Sequence, residues 1–394
     1  MILNPLQNQV GGHDGVLSMG EENEIIVKPS LPQEHQFYEE TAALHPELAA
    51  WMPVYYGSLT LARPTAVDPT STAEAGGPTI KALNGYALTD LLSFEQSTSD
   101  LIQKVQAQSL TEEGNEGDRK AEEGEDAGEK TKAEGEDECL CLENLSHGFK
   151  KPCVLDLKLG TQLFDDDATE EKKARLGAVS ANTTSGSLGI RLTGFQIYDS
   201  EKQDYVKFSK QYGKSLTTET ILDGFRSYFS AQLGPKRMRL VLERFVSDLT
   251  DFLSTIEDLE LRMRSSSLLM LYEGDAEAFD EGLQMEEEKI AAVVERVKAH
   301  QLAEQEAEDA EGEENQDQDA EAAEESEEDE DEEEDYDDED DEDVSQKVTD
   351  LRLIDFAHSA WTPGMGPDEG VILGVKSTLA LFERLLEEDY PASA

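Results

Sequence analysis

A chain of 394 residues suits one two-lobed domain with large insertions, or two or three ordinary domains. Its formal net charge of −56 excludes nucleic-acid binding through its acidic tracts. Its three cysteines exclude a disulfide framework, and the i, i+2 spacing of Cys139 and Cys141 without clustered histidines excludes a zinc finger.

The charge is unevenly spread. Residues 301–343 hold 28 Asp and Glu and no Lys or Arg, half of the net charge. Residues 111–138 set 13 acidic residues against 4 basic ones. Both tracts lack the apolar residues that offset ordering entropy, and both are predicted to be disordered insertions. No run of about 18 apolar residues and no basic-then-apolar leader is present. The expectation is a monomer without stable membrane insertion, in the nucleus, the cytoplasm or both.

In chain order, residues 24–27 (EIIV) read as a strand leading to Lys28, and 33–48 as a helix bent near Pro46. Residues 54–61 read as a strand, and 62–78 have linker composition. Order returns at Cys139 with strand-like runs at 139–145 and 152–160. In the second run (PCVLDLKLG), alternation sets Val154, Asp156 and Lys158 on one face and Cys153, Leu155, Leu157 and Leu159 on the other. Residues 167–176 read as a basic helix opened by an Asp167 and Glu170 capping box. A strand at 190–198, helices at 216–233 and 238–263, strands at 267–272 and 351–356, and a closing helix at 371–386 complete the reading. The fold class is therefore α+β and two-lobed, with ATP expected in the cleft. The expected lobes are 1–144, with linker and acidic insert over 62–138, and 145–394, with a helical then disordered insert over 276–349.

Phosphoryl transfer asks for a lysine on the nucleotide phosphates, a carboxylate orienting it, a metal-binding carboxylate, and a carboxylate at the attacking hydroxyl. Lys28 ends an apolar strand and Glu34 opens the next helix. Asp156 and Asp355 are lone carboxylates inside apolar runs, where burial demands a partner such as Mg²⁺ or a lysine. Each has a bland alternative: a surface lysine, a structural Asp156–Lys158 ion pair, a strand-end turn at Asp355. The basic residues Lys172, Lys173 and Arg175 would ordinarily form a solvated face, but in so acidic a chain they are an anion-site candidate. A GxxxxGK[ST] loop is absent, which excludes a P-loop enzyme. The glycines at 11, 12 and 15 are a weak signal alone.

Together these motifs resemble the inositol polyphosphate kinase family. PCVLDLKLG fits its PxxxDxKxG signature, and SLGIRLTGFQIYD, YGKSLT, SSSLLMLYEG and LIDFAHSAWTPGMGPDEGVILG follow in family order, with QVGGHDG near the start. The resemblance implies a kinase-like fold using ATP and Mg²⁺ on inositol polyphosphates. It implies that Lys28 meets ATP phosphates, with Glu34 orienting it. Glu143 would hold the adenine and Asn144 the ribose. Asp156 would serve the attacking hydroxyl, Lys158 would neutralise phosphate charge, and Asp355 would hold the metal, with Ser267 assisting. Lys172, Arg175 and His358 would grip substrate phosphates. Segment 164–188 is shorter than the substrate-binding insert usual in the trisphosphate 3-kinases and suits a roomier site, and the TTSGSLGIRLTGFQIYD block and PGMGPDEG ending are most similar to fungal-type multikinases, with hexakisphosphate kinases as the alternative. A different class of reading makes the chain an acidic scaffold for histones or basic transcription factors, against a solvated, self-repelling loop. If the tract is an insertion, deleting residues 304–343 leaves kcat and KM within about twofold of the full chain in a steady-state assay; loss of activity overturns the insertion reading.

Overall fold

The computed structural model describes residues 4–6, 16–20, 22–61, 79–83, 137–314 and 346–391. The glycine group at 11, 12 and 15, most of the expected linker and the acidic tract from 315 to 345 lie outside the described residues. Contacts divide the chain into two compact units, Met1–Ala276 with Val348–Ala394, and Glu277–Lys347.

The first unit contains two antiparallel sheets. One orders its strands β1-β2-β3-β6-β4-β5: β1 (Asn4–Pro5), β2 (Leu17–Met19), β3 (Ile25–Pro29), β4 (Tyr55–Leu61), β5 (Thr79–Leu83) and β6 (Asp137–Glu143). One side of it buries Met19, Val27, Leu59, Cys139 and Cys141. Strand β5 follows the 62–78 stretch of linker composition and falls inside the 62–138 span expected to be linker and acidic insert. The other sheet runs β12-β11-β7-β8-β9, from β7 (Pro152–Leu159), β8 (Ile190–Asp199), β9 (Asp204–Phe208), β11 (Ser267–Glu273) and β12 (Thr349–Ile354). The chain passes from the first sheet to the second between Glu143 and Pro152, and the architecture is two-lobed α+β.

Strands β7 and β8 are buried on both faces, so Asp156 is enclosed where simple alternation would have given it an open face. Helix α3 (Glu170–Ala181) is capped by Thr169, whose hydroxyl accepts from the Lys172 amide, and not by the expected Asp167 box. Short helix α4 (Thr184–Leu188) ends at Gly189, φ 67°, where a Cβ would lie 2.7 Å from the Gly370 carbonyl oxygen and the Gly374 amide. The helix expected at 216–233 is helical only over α6 (Ile221–Tyr228), and a short helix, α5 (Lys210–Ser215), precedes the expected start. Helix α7 (Pro235–Ile256) starts on a proline at its first turn and buries Met238, Val241, Leu242, Phe245, Leu249, Phe252 and Ile256, a stripe at helical spacing. It stops short of 261–263, which form β10 (Leu261–Met263) against β13 (Ser359–Trp361). Helix α9 (Glu369–Glu388) is capped by Asp368 through the amides of Gly370 and Val371.

The second unit is largely α8 (Ala276–Glu314), which runs some way into the tract expected to be disordered from 301. Alanine, glutamate and glutamine are strong helix formers there.

Helix α1 (Pro32–Leu44), followed by α2 (Pro46–Ala49), belongs by sequence to the first lobe yet packs on the turn after β12. Phe37 stacks on Phe356 at 4.9 Å and on Trp361 at 5.9 Å, and the Trp361 indole donates to Thr41. The edge of β12 is closed by Trp51, whose carbonyl accepts from the Leu353 amide at 2.7 Å. Beside that contact lies a cavity of about 500 Å³ lined by Trp51, Arg244, Asp248, Asp350 and Arg352. Burial first, then Asp350 and Asp251, push the Asp248 carboxyl up to about 6. A folded-state value above the unfolded one makes stability fall as pH rises from about 4 to about 6. Asp248→Asn is therefore expected to stabilise the protein by about 1 kcal/mol at pH 8, the gain vanishing near pH 4. Urea unfolding across that range checks it; a pH-independent difference overturns the assignment.

Candidate active site

Register in the first sheet sets Val27 among Cys139 and Cys141 and turns Lys28, opposite Leu140, to the other side. There its ammonium lies 2.8 Å from Glu34 Oε1 and 2.8 Å from Asp355 Oδ1. Burial opposes the charge on Lys28, but Asp355 and then Glu34 outweigh it and hold the ammonium well above its usual range. Glu34, 1% exposed, also accepts from the Phe356 amide at 3.2 Å. One carboxylate from α1 thus fixes the lysine of the first sheet and the turn after β12 of the second. Asp355 holds φ 67°, a left-handed backbone that a non-glycine residue adopts at a cost.

In the second sheet, Lys158 stands beside Ser267 on β11 and Arg191 on β8. Ser267 in turn faces Ile354 on β12, so Asp355 follows at the same end of the sheet. One row back, Asp156 stands beside Leu269 and Gly194. The glycine places no side chain next to the carboxylate. A register shift after Asp156 accommodates Thr193, whose hydroxyl donates to the Asp156 carbonyl at 2.8 Å. Asp156 is 4% exposed, and its Oδ1 has no hydrogen-bond partner. Ser267 Oγ is likewise buried without one. Unpartnered buried acceptors are costly and mark places where a ligand completes the bonding. The Lys158 ammonium donates to the Ser265 carbonyl at 2.7 Å.

The remaining expected residues fall at three places. Glu143 ends β6, its amide donating to the Val54 carbonyl at 2.9 Å and its Oε2 accepting from the Val54 amide. Asn144 is buried, donates through Nδ2 to the Asn23 carbonyl at 2.7 Å, and accepts through Oδ1 from the amide and hydroxyl of Ser146. Its carboxamide holds the crossover between sheets in this conformation, a competing task to the ribose contact expected of it. On α3, Lys172 lies on the inward stripe with Leu176 and Ser180, whereas Arg175 is exposed. His358 follows β12 and sets Nδ1 2.6 Å from Asp165 Oδ2.

Sequence reasoning missed Arg191 and Asp165. Arg191, 1% exposed, is a lone charge in an apolar strand, the same signal that singled out Asp156 and Asp355. Asp165 is one of three consecutive aspartates, and nothing in the pattern separates it from its neighbours.

A lysine–carboxylate pair from one lobe, an aspartate on the other that meets the lysine, and a second buried carboxylate one row from a pair of cations define a two-lobed phosphotransferase. A family model, "Inositol polyphosphate kinase", matches residues 139–383. The inositol polyphosphate multikinase of Saccharomyces cerevisiae is 32% identical over 96% of this chain and 97% of its own. That of Schizosaccharomyces pombe is 40% identical over 34% of this chain and 50% of its own. The mouse inositol hexakisphosphate kinase 3 is 30% identical over 69% of this chain and 78% of its own. The crystal structure of the S. cerevisiae inositol phosphate multikinase with ADP and Mn²⁺ superposes with a TM-score of 0.52, 26% identity, 92% of this chain and 99% of that one. The chain belongs to the inositol polyphosphate kinase family, and it is a kinase.

Removing one partner of a buried ion pair leaves uncompensated charge. Glu34→Ala is expected to cost about 3 kcal/mol in urea unfolding, and Glu34→Gln, which keeps an acceptor for Phe356, about half of that. Both should raise the KM for ATP; an unchanged KM shows that Glu34 only braces the fold.

Proposed function

We propose that this protein is a multikinase that transfers the ATP γ-phosphoryl group stepwise to inositol tris- and tetrakisphosphates. The observation that carries the reading is the Lys28–Glu34–Asp355 cluster beside a sheet face bearing Asp156, Lys158 and Arg191. Similarity to a yeast multikinase over nearly the full length of both chains supports the stepwise activity.

In this reading Lys28 binds ATP phosphates, Glu34 orients it, and the crossover at Glu143 and Asn144 borders the base and ribose. Asp355 holds Mg²⁺. That ion keeps several waters and binds through one or two carboxylates plus phosphate oxygens, so one aspartate with ATP is a sufficient donor set. The unpartnered Ser267 hydroxyl offers a further oxygen on the same row. Among the described residues no group of three or more His, Cys, Asp and Glu forms an all-protein cage, in keeping with an ion shared with ATP. When bound, Mg²⁺ neutralises charge on the β- and γ-phosphates.

The chain's own residues do the rest. Asp156 Oδ1 accepts the hydrogen bond of the attacking inositol hydroxyl and receives its proton as the oxygen bonds to the γ-phosphorus, while the bond from that phosphorus to the β–γ bridging oxygen breaks and ADP leaves with the electron pair. Lys158 exchanges the Ser265 carbonyl for a phosphate oxygen. Arg191, Lys172 and His358 bind the substrate's other phosphates, with exposed Arg175 as an outer contact. Multiple charge-assisted hydrogen bonds supply affinity and fix which hydroxyl faces Asp156.

The test incubates the full chain with ATP, Mg²⁺ and inositol 1,4,5-trisphosphate and separates products by charge. Tetrakis- and pentakisphosphate are expected, and Asp156→Asn should lower kcat by about 10²- to 10⁴-fold without loss of melting temperature. Turnover of the hexakisphosphate alone overturns the multikinase reading in favour of the pyrophosphate-forming relatives.

A further inference from the structure

Strand β8 carries its apolar residues in two runs that are out of step. Ile190 and Leu192 alternate, Phe195 and Ile197 alternate, and three positions rather than two separate Leu192 from Phe195. All four are buried. Regular pleating would send the two runs to opposite faces. They nevertheless share one: a Cβ on Gly224 of α6 would lie 3.2 Å from the Leu192 side chain, and Phe195 meets Tyr212 of α5 at 5.9 Å and Tyr228 of α6 at 6.0 Å. The phase is restored by a one-residue bulge. Asp156 pairs with Gly194 and Leu157 with Leu192, so Thr193 is the extra residue on β8. On the other face the same slip sets Arg191 opposite Lys158, three residues rather than two before the glycine opposite Asp156. Without it, and with Gly194 still opposite Asp156, Leu192 would stand beside Lys158 and Arg191 would turn away beside Leu159.

We propose that Thr193 is a positioning residue for inositol phosphate binding, its side chain holding the bulge that turns Arg191 onto the face of Asp156 and Lys158. A bulge disrupts the ladder locally, and backbone groups buried there need other partners. Here the Thr193 hydroxyl donates to the Asp156 carbonyl at 2.8 Å, with both residues buried. That bond ties the extra residue of β8 to the residue of β7 whose carboxylate faces the attacking hydroxyl in the proposed mechanism. The β8 neighbour of that carboxylate is Gly194, so the bulge also leaves room beside it. The face a residue takes follows from the backbone register and holds whatever its side chain touches there. A strand that must give apolar side chains to α5 and α6 and a cation to the substrate thus does both by breaking its own alternation once. The inference rests on the reading that this face of β7 and β8 binds the substrate's phosphates.

The experiment uses the full chain with Thr193→Val, Thr193→Ser, Thr193→Ala, Arg191→Met, and Thr193→Val combined with Arg191→Met. Valine keeps the branched shape and removes the hydroxyl. Serine and alanine repeat the comparison without the γ-methyl, so the test survives if the valine variant does not fold. Thr193→Val should raise the KM for inositol 1,4,5-trisphosphate about tenfold, as loss of a buried hydrogen bond that sets the placement of binding groups does, with the KM for ATP unchanged. Thr193→Ser should stay within about twofold of the wild type, and Thr193→Ala should follow valine. In the Arg191→Met background Thr193→Val should add nothing to the KM for the inositol phosphate. Serine no better than alanine, a KM for ATP that rises in parallel, or additive effects at 191 and 193 overturn the positioning role. If Arg191→Met raises the KM for the inositol phosphate while the Thr193 changes do not, the role of the bulge falls and the proposed substrate face stands. If Arg191→Met leaves that KM unchanged, the substrate face itself is wrong and the proposal falls with it.

Discussion

Everything at the site depends on a single buried ammonium. Lys28 is supplied by the sheet of one lobe, Asp355 by the turn after the last strand of the other, and Glu34 by a helix that packs on that turn. An ammonium taken from water is tolerated only because two carboxylates meet it at 2.8 Å. Glu34 does more than neutralise, since it also accepts from the Phe356 amide and so sets the angle at which Asp355 leaves β12. The aromatic stack of Phe37, Phe356 and Trp361 holds α1 in register for that bond. ATP entering such a site need not create the cation. In the proposed reading it would only have to compete with Asp355 for it, leaving that carboxylate to hold the metal.

The second sheet solves a different problem. A polyanion must be bound by a chain of net charge −56, so cations have to be concentrated locally and shielded from the acidic remainder. Arg191 and Lys158 are neighbours across a buried row of β8 and β7, and Lys172 lies on the inner stripe of the helix that follows. Between surface charges, salt screens interactions beyond about 8 Å. The buried row is screened far less and carries its full attraction.

Much of this was legible in the sequence, and for a physical reason. Asp156 and Asp355 interrupt apolar runs, and such charges survive only with a partner, so they announced themselves before any coordinates. Lys28 and Glu34 were legible as a strand end and a helix start six residues apart, which the structure turns into a direct contact. Arg191 carried the same lone-charge signal and was passed over. What sequence could not reveal are relations between distant segments. The pairing of Asp165 with His358 spans 193 positions, and three adjacent aspartates give no hint which one turns inward. For Asn144 the family resemblance implies a ribose contact; in the structure its carboxamide is engaged by Asn23 and Ser146, partners that no periodicity predicts. Element ends failed where caps decide them: Thr169 and not Asp167 opens α3, and β10 was absorbed into the helix before it because its partner, β13, lies about a hundred residues away.

Backbone strain falls where the chemistry needs it. Among the described non-glycine residues, four have positive φ: Asn23, Gln203, Ser265 and Asp355. Gln203 sits in the turn between β8 and β9, where such geometry is ordinary. The other three are attached to the site. Asn23 offers its carbonyl to Asn144 at the crossover, Ser265 offers its carbonyl to the Lys158 ammonium, and Asp355 meets Lys28. Each left-handed residue costs about 1 kcal/mol or more, and none would persist unless its surroundings over-determined it. In two of the three cases the strained group is held by the ammonium of a lysine that the substrates would claim. In the proposed reading, phosphate bound to Lys28 or Lys158 would replace the contact that holds Asp355 or Ser265 in its left-handed conformation.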